Sequence, residues 1–408
     1  MINQQLNDKI TRIGPHTEAG AVLRYYWQPA ALSDELTDDL PLPVNLLGER
    51  LALLRSDTGT LVLKTRVAAP DEPAAFCPAS SDIEISPDGA SYPVHETKGV
   101  IFAFLGPGTP PAFPNLDCFR APDSHVFAFK GLWNCNWLQA LEIGIDPAHA
   151  SFLHRFLEDE DPEDGYGKQF RDKAAHTDMP MTQVLRDYPR PEIKVDETDY
   201  GLKITALRHM DNDLTHVRIT NQVFPEAICI PMSREMTITQ WHVPVDDETC
   251  YWYTIFTSFK NPVDKDLMRA QRLKEHRLPD YAPLKNRDNN YHYDPTEQAT
   301  QTYTGMGMDI NVHDQWAVEG MGAIQDRTRE HLGRSDVAII RYRRMLRQAI
   351  RNVAENKIDA LPMWGRVDPV NVIGPLSNDA IAATDDWQHA SHAADLERRA
   401  ECPWDARV

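Results

Sequence analysis

The sequence predicts an α+β protein: a small N-terminal β-sheet, then an antiparallel sheet wrapped by helices. Three observations carry that expectation. Two strand-like runs joined by a polar turn occupy residues 44–64, five strand-like segments follow one another between Glu192 and Phe259, and apolar residues at helical spacing gather near both ends. Strands in runs and helices in runs, without strict alternation, are the pattern of α+β folds.

Residues 1–30 carry an amphipathic pattern (Ile10, Ile13, Val22, Leu23, Tyr26, Trp27) broken by Gly14-Pro15, which reads as one or two short helices lying on a larger body. Val44 to Arg55 and Thr60 to Lys64 read as two strands of a hairpin, since a Ser-Asp-Thr-Gly turn separates them. Residues 65–98 are irregular, and the apolar run Gly99 to Leu105, stopped by Gly106-Pro-Gly108, reads as a buried strand. A helix is expected from Trp133 to Glu142, leading into Asp146-Pro-Ala-His149-Ala-Ser-Phe-Leu-His154, with a surface loop over the acidic run 158–167. Segments 193–197, 201–208, 215–225, 236–244 and 250–259, joined by Asp, Asn and Gly turns, form the expected meander. Residues 263–300 are polar and helical or looped. Helices are then expected from Asp314 to Leu332 and onward from an N-cap at Ser335-Asp336, where Ile339, Tyr342, Leu346, Ile350 and Val353 share one face. Residues 361–378, with Pro362, Pro369 and Pro375, read as an extended wrap. The pattern divides the 408 residues into units 1–126 and 127–408.

Composition narrows the function. With 42 basic against 61 acidic residues the formal charge is -19, so the surface repels phosphate backbones and anionic lipid. Nucleic-acid and membrane-surface roles are poor readings. The longest apolar run, Val100 to Leu105, is far short of a membrane span, and Met1 to Ile10 lacks the apolar core of a leader, so a cytoplasmic location is expected. Six cysteines (Cys77, Cys118, Cys135, Cys229, Cys250, Cys402) are scattered, with no C-x-x-C, C-x-H or C-x-x-H.

The densest chemical signal is Asp146-x-x-His149-x-x-x-x-His154, with Glu142 upstream. Asp146 and His149 share a helix face, whereas His149 and His154 do not quite, so both reach one metal only if the helix ends or bends there. Two imidazoles and one carboxylate on one side of an octahedron leave positions open for dioxygen on Fe(II). Asp146 before Pro147 is equally a good N-cap followed by proline, which needs no metal. The third ligand must come from elsewhere. Asp314 opens the later helix, and Glu319, Asp326 and His313 compete with it.

The run Asn134 to His154, together with His313-Asp314 and Glu319 to Ile340, resembles the large subunit of Rieske-type non-haem iron oxygenases, phthalate-oxygenase branch. The similarity extends to Ile10 through Gly20, Tyr25 through Ala30, and Tyr92-Pro-Val through Phe102-Ala-Phe-Leu-Gly-Pro. The resemblance implies that His149, His154 and Asp314 bind a mononuclear Fe(II) ion. It also implies that Asp146 is the bridging acid between an iron-ligand His and a cluster-ligand His of a neighbouring subunit. The implied activity is O2-dependent hydroxylation or oxidative dealkylation of a small aromatic or other organic substrate, in a trimer or hexamer fed by a reductase or ferredoxin.

One part of the family pattern is missing. The [2Fe–2S] cluster is held by two Cys and two His in paired C-x-H and C-x-x-H loops, and this chain has neither. The strand ending at Lys64 runs almost directly into Ala68-Ala-Pro-Asp-Glu-Pro73, and Cys77 with His95 is the only soft pair nearby. Three explanations compete: a catalytic subunit reduced by a cluster-bearing partner; a non-catalytic partner subunit or small-molecule binding protein of the same fold; or a stretch of the natural protein absent from this sequence. Survival of all three candidate ligands with Asp146 favours the first over the second. Arg208, His209 and Arg218 lie on expected strands and would meet a substrate carboxylate only if they face inward, whereas charged strand residues more often face solvent.

Overall fold

A computed structural model describes residues 2–37, 40–56, 58–69, 72–73, 82–158, 179–232, 234–364 and 376–404. Cys77, nearly all of the acidic run 158–167 and most of the wrap at 361–378 lie outside the described residues. Among those described, the chain forms three antiparallel sheets.

Trp27–Leu32, Val100–Phe104 and Val94–Thr97 make a three-stranded sheet in that order. Leu42–Leu46, Glu49–Arg55, Leu61–Thr65 and Ser91–Tyr92 make a four-stranded one. The single strand expected over 44–55 is therefore two. Leu47 and Gly48 take positive φ of 52° and 75°, the backbone of a two-residue hairpin turn, though no Asn-Gly or Asp-Gly marks it. Leu47 tolerates this because its side chain is buried and its N–H donates to the Pro244 carbonyl at 3.0 Å.

The large sheet runs Val126–Trp133, Cys250–Ser258, Met236–Pro244, Ala227–Pro231, Leu214–Val223, Gly201–His209 and Glu192–Glu197, and Asn378–Ala383 also pairs with Leu214–Val223. The antiparallel meander is present with one more strand than expected, Ala227–Pro231, beyond the Phe224-Pro225-Glu226 turn. Trp133 closes a strand instead of opening a helix, since the apolar run before it pairs along its length with Cys250–Ser258. The helix is Trp137–Gly144, capped by the Asn136 side chain, which accepts from Leu138 N–H at 3.1 Å.

The helix expected from Asp314 is Ile310–Gly320, and its cap is Asp309, which accepts from Asn311 N–H at 2.8 Å. Asp314 thus lies inside the helix. Val337–Ala354 starts at the expected cap, Asp336, and buries Ile339, Tyr342, Leu346 and Ile350. The C-terminal helix Trp387–Glu401 docks through Arg399, whose guanidinium grips both Asp117 oxygens at 3.0 and 2.9 Å. No helix among the described residues is long and apolar enough to cross a membrane.

Candidate metal centre

A cavity of about 170 Å³ lies between the inner strands of the large sheet and the helical segments over them. Ile143, Ile228, Ile230, Ile238, Met232 and Phe256 give it apolar walls, and Asp146, His149, His154 and Asp314 all line it.

Local chain geometry explains how two histidines five residues apart meet. His149 precedes, and His154 follows, a single helical turn, Ala150–Leu153. On a continuous helix their side chains would diverge by roughly 140°. The turn ends at Leu153, and His154 with φ -99° and ψ 24° swings back. Asp146 shapes the entrance to this turn: its carboxylate accepts from Ala148 N–H at 2.9 Å, and its backbone carbonyl accepts from His149 Nδ1. A carbonyl only accepts, so Nδ1 carries a proton, and in the neutral ring this leaves the lone pair on His149 Nε2. The expected N-cap role falls instead to His149, because the Asp146 carboxylate closes a tight turn onto Ala148 N–H three residues earlier, and it is the Asp146 main chain that meets the His149 ring.

Asp314 arrives from far along the sequence. Gln139, fully buried in Trp137–Gly144, donates to the Val318 and Gly322 carbonyls at 2.9 and 2.8 Å and accepts from Gln325 N–H at 2.8 Å. These bonds fix the end of Ile310–Gly320 against the earlier helix. His149 Nε2 and His154 Nε2 are 3.2 Å apart, and Asp314 Oδ1 lies 3.6 and 3.3 Å from them. A point about 2 Å from all three atoms exists, which is the length of a metal–imidazole bond. Asp314 Oδ1 is buried and has no hydrogen-bond partner. Burial pushes its carboxyl up to about 7, partly offset by His149. Two imidazole nitrogens and a desolvated carboxylate oxygen this close together fit a divalent cation.

The competing ligands are engaged elsewhere. Glu319 accepts from Asn134 N–H at 2.9 Å, Tyr291 O–H at 2.6 Å and the Gln315 amide at 3.2 Å. His313 Nε2 donates to the Gly307 carbonyl at 2.8 Å, and Asp326 caps Thr328 N–H at the surface. Glu142 is buried between Arg327 and Arg343. In the N-terminal part, His95 packs its ring on Phe113 at 4.2 Å between centroids, and burial pushes its pKa down.

The strand charges behave differently from expectation. His209 faces solvent beside Glu192, but Arg208 and Arg218 both line the cavity, because alternate residues of a strand face opposite sides. Arg218 is paired with Asp379 at 2.9 Å. Arg208 is 1% exposed; its Nη2 donates to the Pro147 carbonyl at 3.2 Å and Ser151 Oγ at 3.1 Å, while Nε and Nη1 have no partner. Burial pushes Arg208 down to about 9, and His216, its cross-strand neighbour, well below the imidazole range. Sequence reasoning missed Gln139, for which the available signal was one amide amid the apolar residues of a buried helix.

A family model described as LigXa C-terminal domain like matches residues 103–401. The phthalate 4,5-dioxygenase oxygenase subunit of Pseudomonas putida is 26% identical over 86% of this chain and 86% of its own. The chain belongs to this family, the large subunits of Rieske-type oxygenases. The 3-chlorobenzoate-3,4-dioxygenase oxygenase subunit of Comamonas testosteroni is 27% identical over 85% of this chain and 88% of its own. Among solved structures, dicamba monooxygenase bound to dicamba shares the fold, with a TM-score of 0.50 and 15% identity over 82% of this chain and 99% of that one. The protein is accordingly an oxygenase subunit, and its α+β fold with antiparallel sheets is that of the family's catalytic domain.

Proposed function

We propose that this oxygenase subunit holds one Fe(II) ion on His149 Nε2, His154 Nε2 and Asp314, and uses O2 to hydroxylate or oxidatively dealkylate a small organic substrate. The observation that carries this reading is the convergence of three donor atoms within 3.6 Å of one another at the wall of an apolar cavity. Bound there, the ion supplies dioxygen activation, with positions left open by only three protein ligands.

The protein's own groups do the rest. The Asp146 carbonyl holds His149 with Nε2 inward, and the Ile and Phe walls seat the apolar part of the substrate away from water. Arg208, with Nε and Nη1 unengaged, meets an anionic group on the substrate. Phthalate and 3-chlorobenzoate, named for two relatives, are carboxylates, which supports an aromatic acid here. The Asp146 carboxylate serves as the positioning acid toward a neighbouring subunit's cluster-ligand His. Electrons come from a [2Fe–2S] cluster on another chain, since the whole sequence lacks C-x-H and C-x-x-H. A cluster-bearing oxygenase subunit, in a trimer or hexamer served by a ferredoxin or reductase, is the partner this requires.

Metal analysis of the purified protein and of His149→Ala and Asp314→Ala tests the centre. Iron falls to background in both variants; full occupancy in either overturns the assignment. O2 consumption with an aromatic acid appears only when a cluster-bearing subunit and its reductase are added. Turnover with the reductase alone overturns the borrowed-electron reading and leaves the iron site standing.

A further inference from the structure

A second cavity, about 50 Å³, lies between the three-stranded sheet and the turn that follows Leu214–Val223, and shares no lining residue with the first. Its walls are aromatic: Trp27, Phe113, Phe119, Phe224, Trp241 and Trp364. The rings brace one another, with centroids 5.8 Å apart for Trp27–Phe113, 4.8 Å for Phe113–Phe119 and 6.0 Å for Phe119–Trp241. Trp27, Phe113 and Trp364 are partly exposed, so the rim is reachable from solvent.

Glu226 is the one charged residue among the described residues that line it. The side chain is 1% exposed, and its Oε2 has no hydrogen-bond partner. The Gln28 amide lies beside the carboxyl and favours its charged form, but burial dominates and pushes it up to about 8. The phenols of Tyr26 and Tyr342, which also feel Glu226, are pushed far above their ordinary range and stay neutral. Neither group supplies a positive charge.

We propose that this cavity binds a small organic ammonium ion, with an N–H on Glu226 Oε2 and its alkyl carbons against the ring faces. Aromatic faces attract cations, most strongly where water is excluded. A desolvated carboxylate without a counter-charge is costly, and a cation removes that cost where a neutral guest satisfies only the hydrogen bond. Anions are repelled by Glu226 and by the ring faces alike.

Isothermal titration of the full chain with methylammonium and trimethylammonium chloride, at about pH 8.5 where Glu226 is largely ionised, tests the proposal against sodium chloride at equal ionic strength. Saturable binding of at least one ammonium ion is expected, at least tenfold weaker in Glu226→Gln and weakened in Trp241→Leu. Glu226→Gln keeps the size of the side chain, so its thermal unfolding reports whether the fold is retained. Absence of saturable heat with both ions, or equal affinity in Glu226→Gln, overturns the proposal. Because the two cavities share no residue, iron content and turnover are unaffected by either outcome.

Discussion

Glu142 and Arg208 are buried to a similar depth, 5% and 1% exposed, yet their surroundings are opposite. Glu142 receives Arg343 at 2.5 and 2.9 Å and Arg327 at 2.9 Å, and Arg343 also reaches Glu330 at 2.6 Å. That network joins helix Trp137–Gly144 to Val337–Ala354 and holds the Glu142 carboxyl below its usual range despite burial. Arg208, which lines the cavity, bonds the histidine turn through one nitrogen, and its other two have no partners. Arg208 and Arg218 sit on neighbouring strands of one wall, and only Arg218 has a carboxylate, Asp379. The difference separates two uses of buried charge. A paired ion holds elements together, whereas one left short of partners at a cavity wall carries a desolvation cost that a ligand of opposite sign removes.

The most severe way to break this comparison is Glu142→Gln, which leaves two buried guanidinium groups facing a neutral amide. Urea unfolding should show a loss of about 3–5 kcal/mol. A loss under about 1 kcal/mol would mean that the network is not what joins the helices.

Arg208→Gln should do the reverse, changing folding stability by under about 1 kcal/mol. Binding of an aromatic carboxylate should weaken on the order of 30-fold or more, the cost of removing one partner of a buried charge pair. Methyl esters of the same acids should bind the variant as well as the wild type. An equal loss for acid and ester would show that Arg208 shapes the wall without reading charge.

Glu226 sharpens the same contrast through pH. Its carboxyl ionises in the folded chain only near about 8, well above the ordinary carboxylate range. The folded state therefore keeps a proton that the unfolded chain has lost, and its stabilising effect, full in acid, drains away as pH rises from about 4 to 8. Each pH unit in that window costs about 1.4 kcal/mol. Glu226→Gln should flatten that part of the pH–stability curve, and parallel curves for variant and wild type would contradict the unpaired reading. At the small end, Arg341 and Glu197 form an exposed pair at 3.4 Å, and Arg341→Ala should change stability by under about 0.5 kcal/mol.

The residues explain how much was readable in advance. Strand runs 201–208, 236–244 and 250–259 are apolar and β-branched or aromatic, and they are strands within a residue of their expected ends. The turn at Leu47-Gly48 was illegible because its left-handed leucine is held by contacts to Pro244, far along the chain. Trp133 has neighbours that are apolar at a spacing that suits helix or strand, and only pairing with Cys250–Ser258 decides. Asn378–Ala383 carries no strand signal for a similar reason: a short Asp- and Ala-containing run becomes a strand by adding to the edge of Leu214–Val223.

The sequence alone supplied the donors, because His149, His154 and their acid neighbours are fixed by local order, and a helix end between the histidines was a condition it could state. Which distant carboxylate joins them was decided by tertiary structure, through Gln139 pinning Ile310–Gly320 beside the histidine turn while Glu319, Asp326 and His313 are bonded elsewhere. Which arginine stays unpaired was decided in the same way. Charge is written residue by residue, but whether a buried charge finds its partner depends on what the folded chain brings within about 3 Å of it.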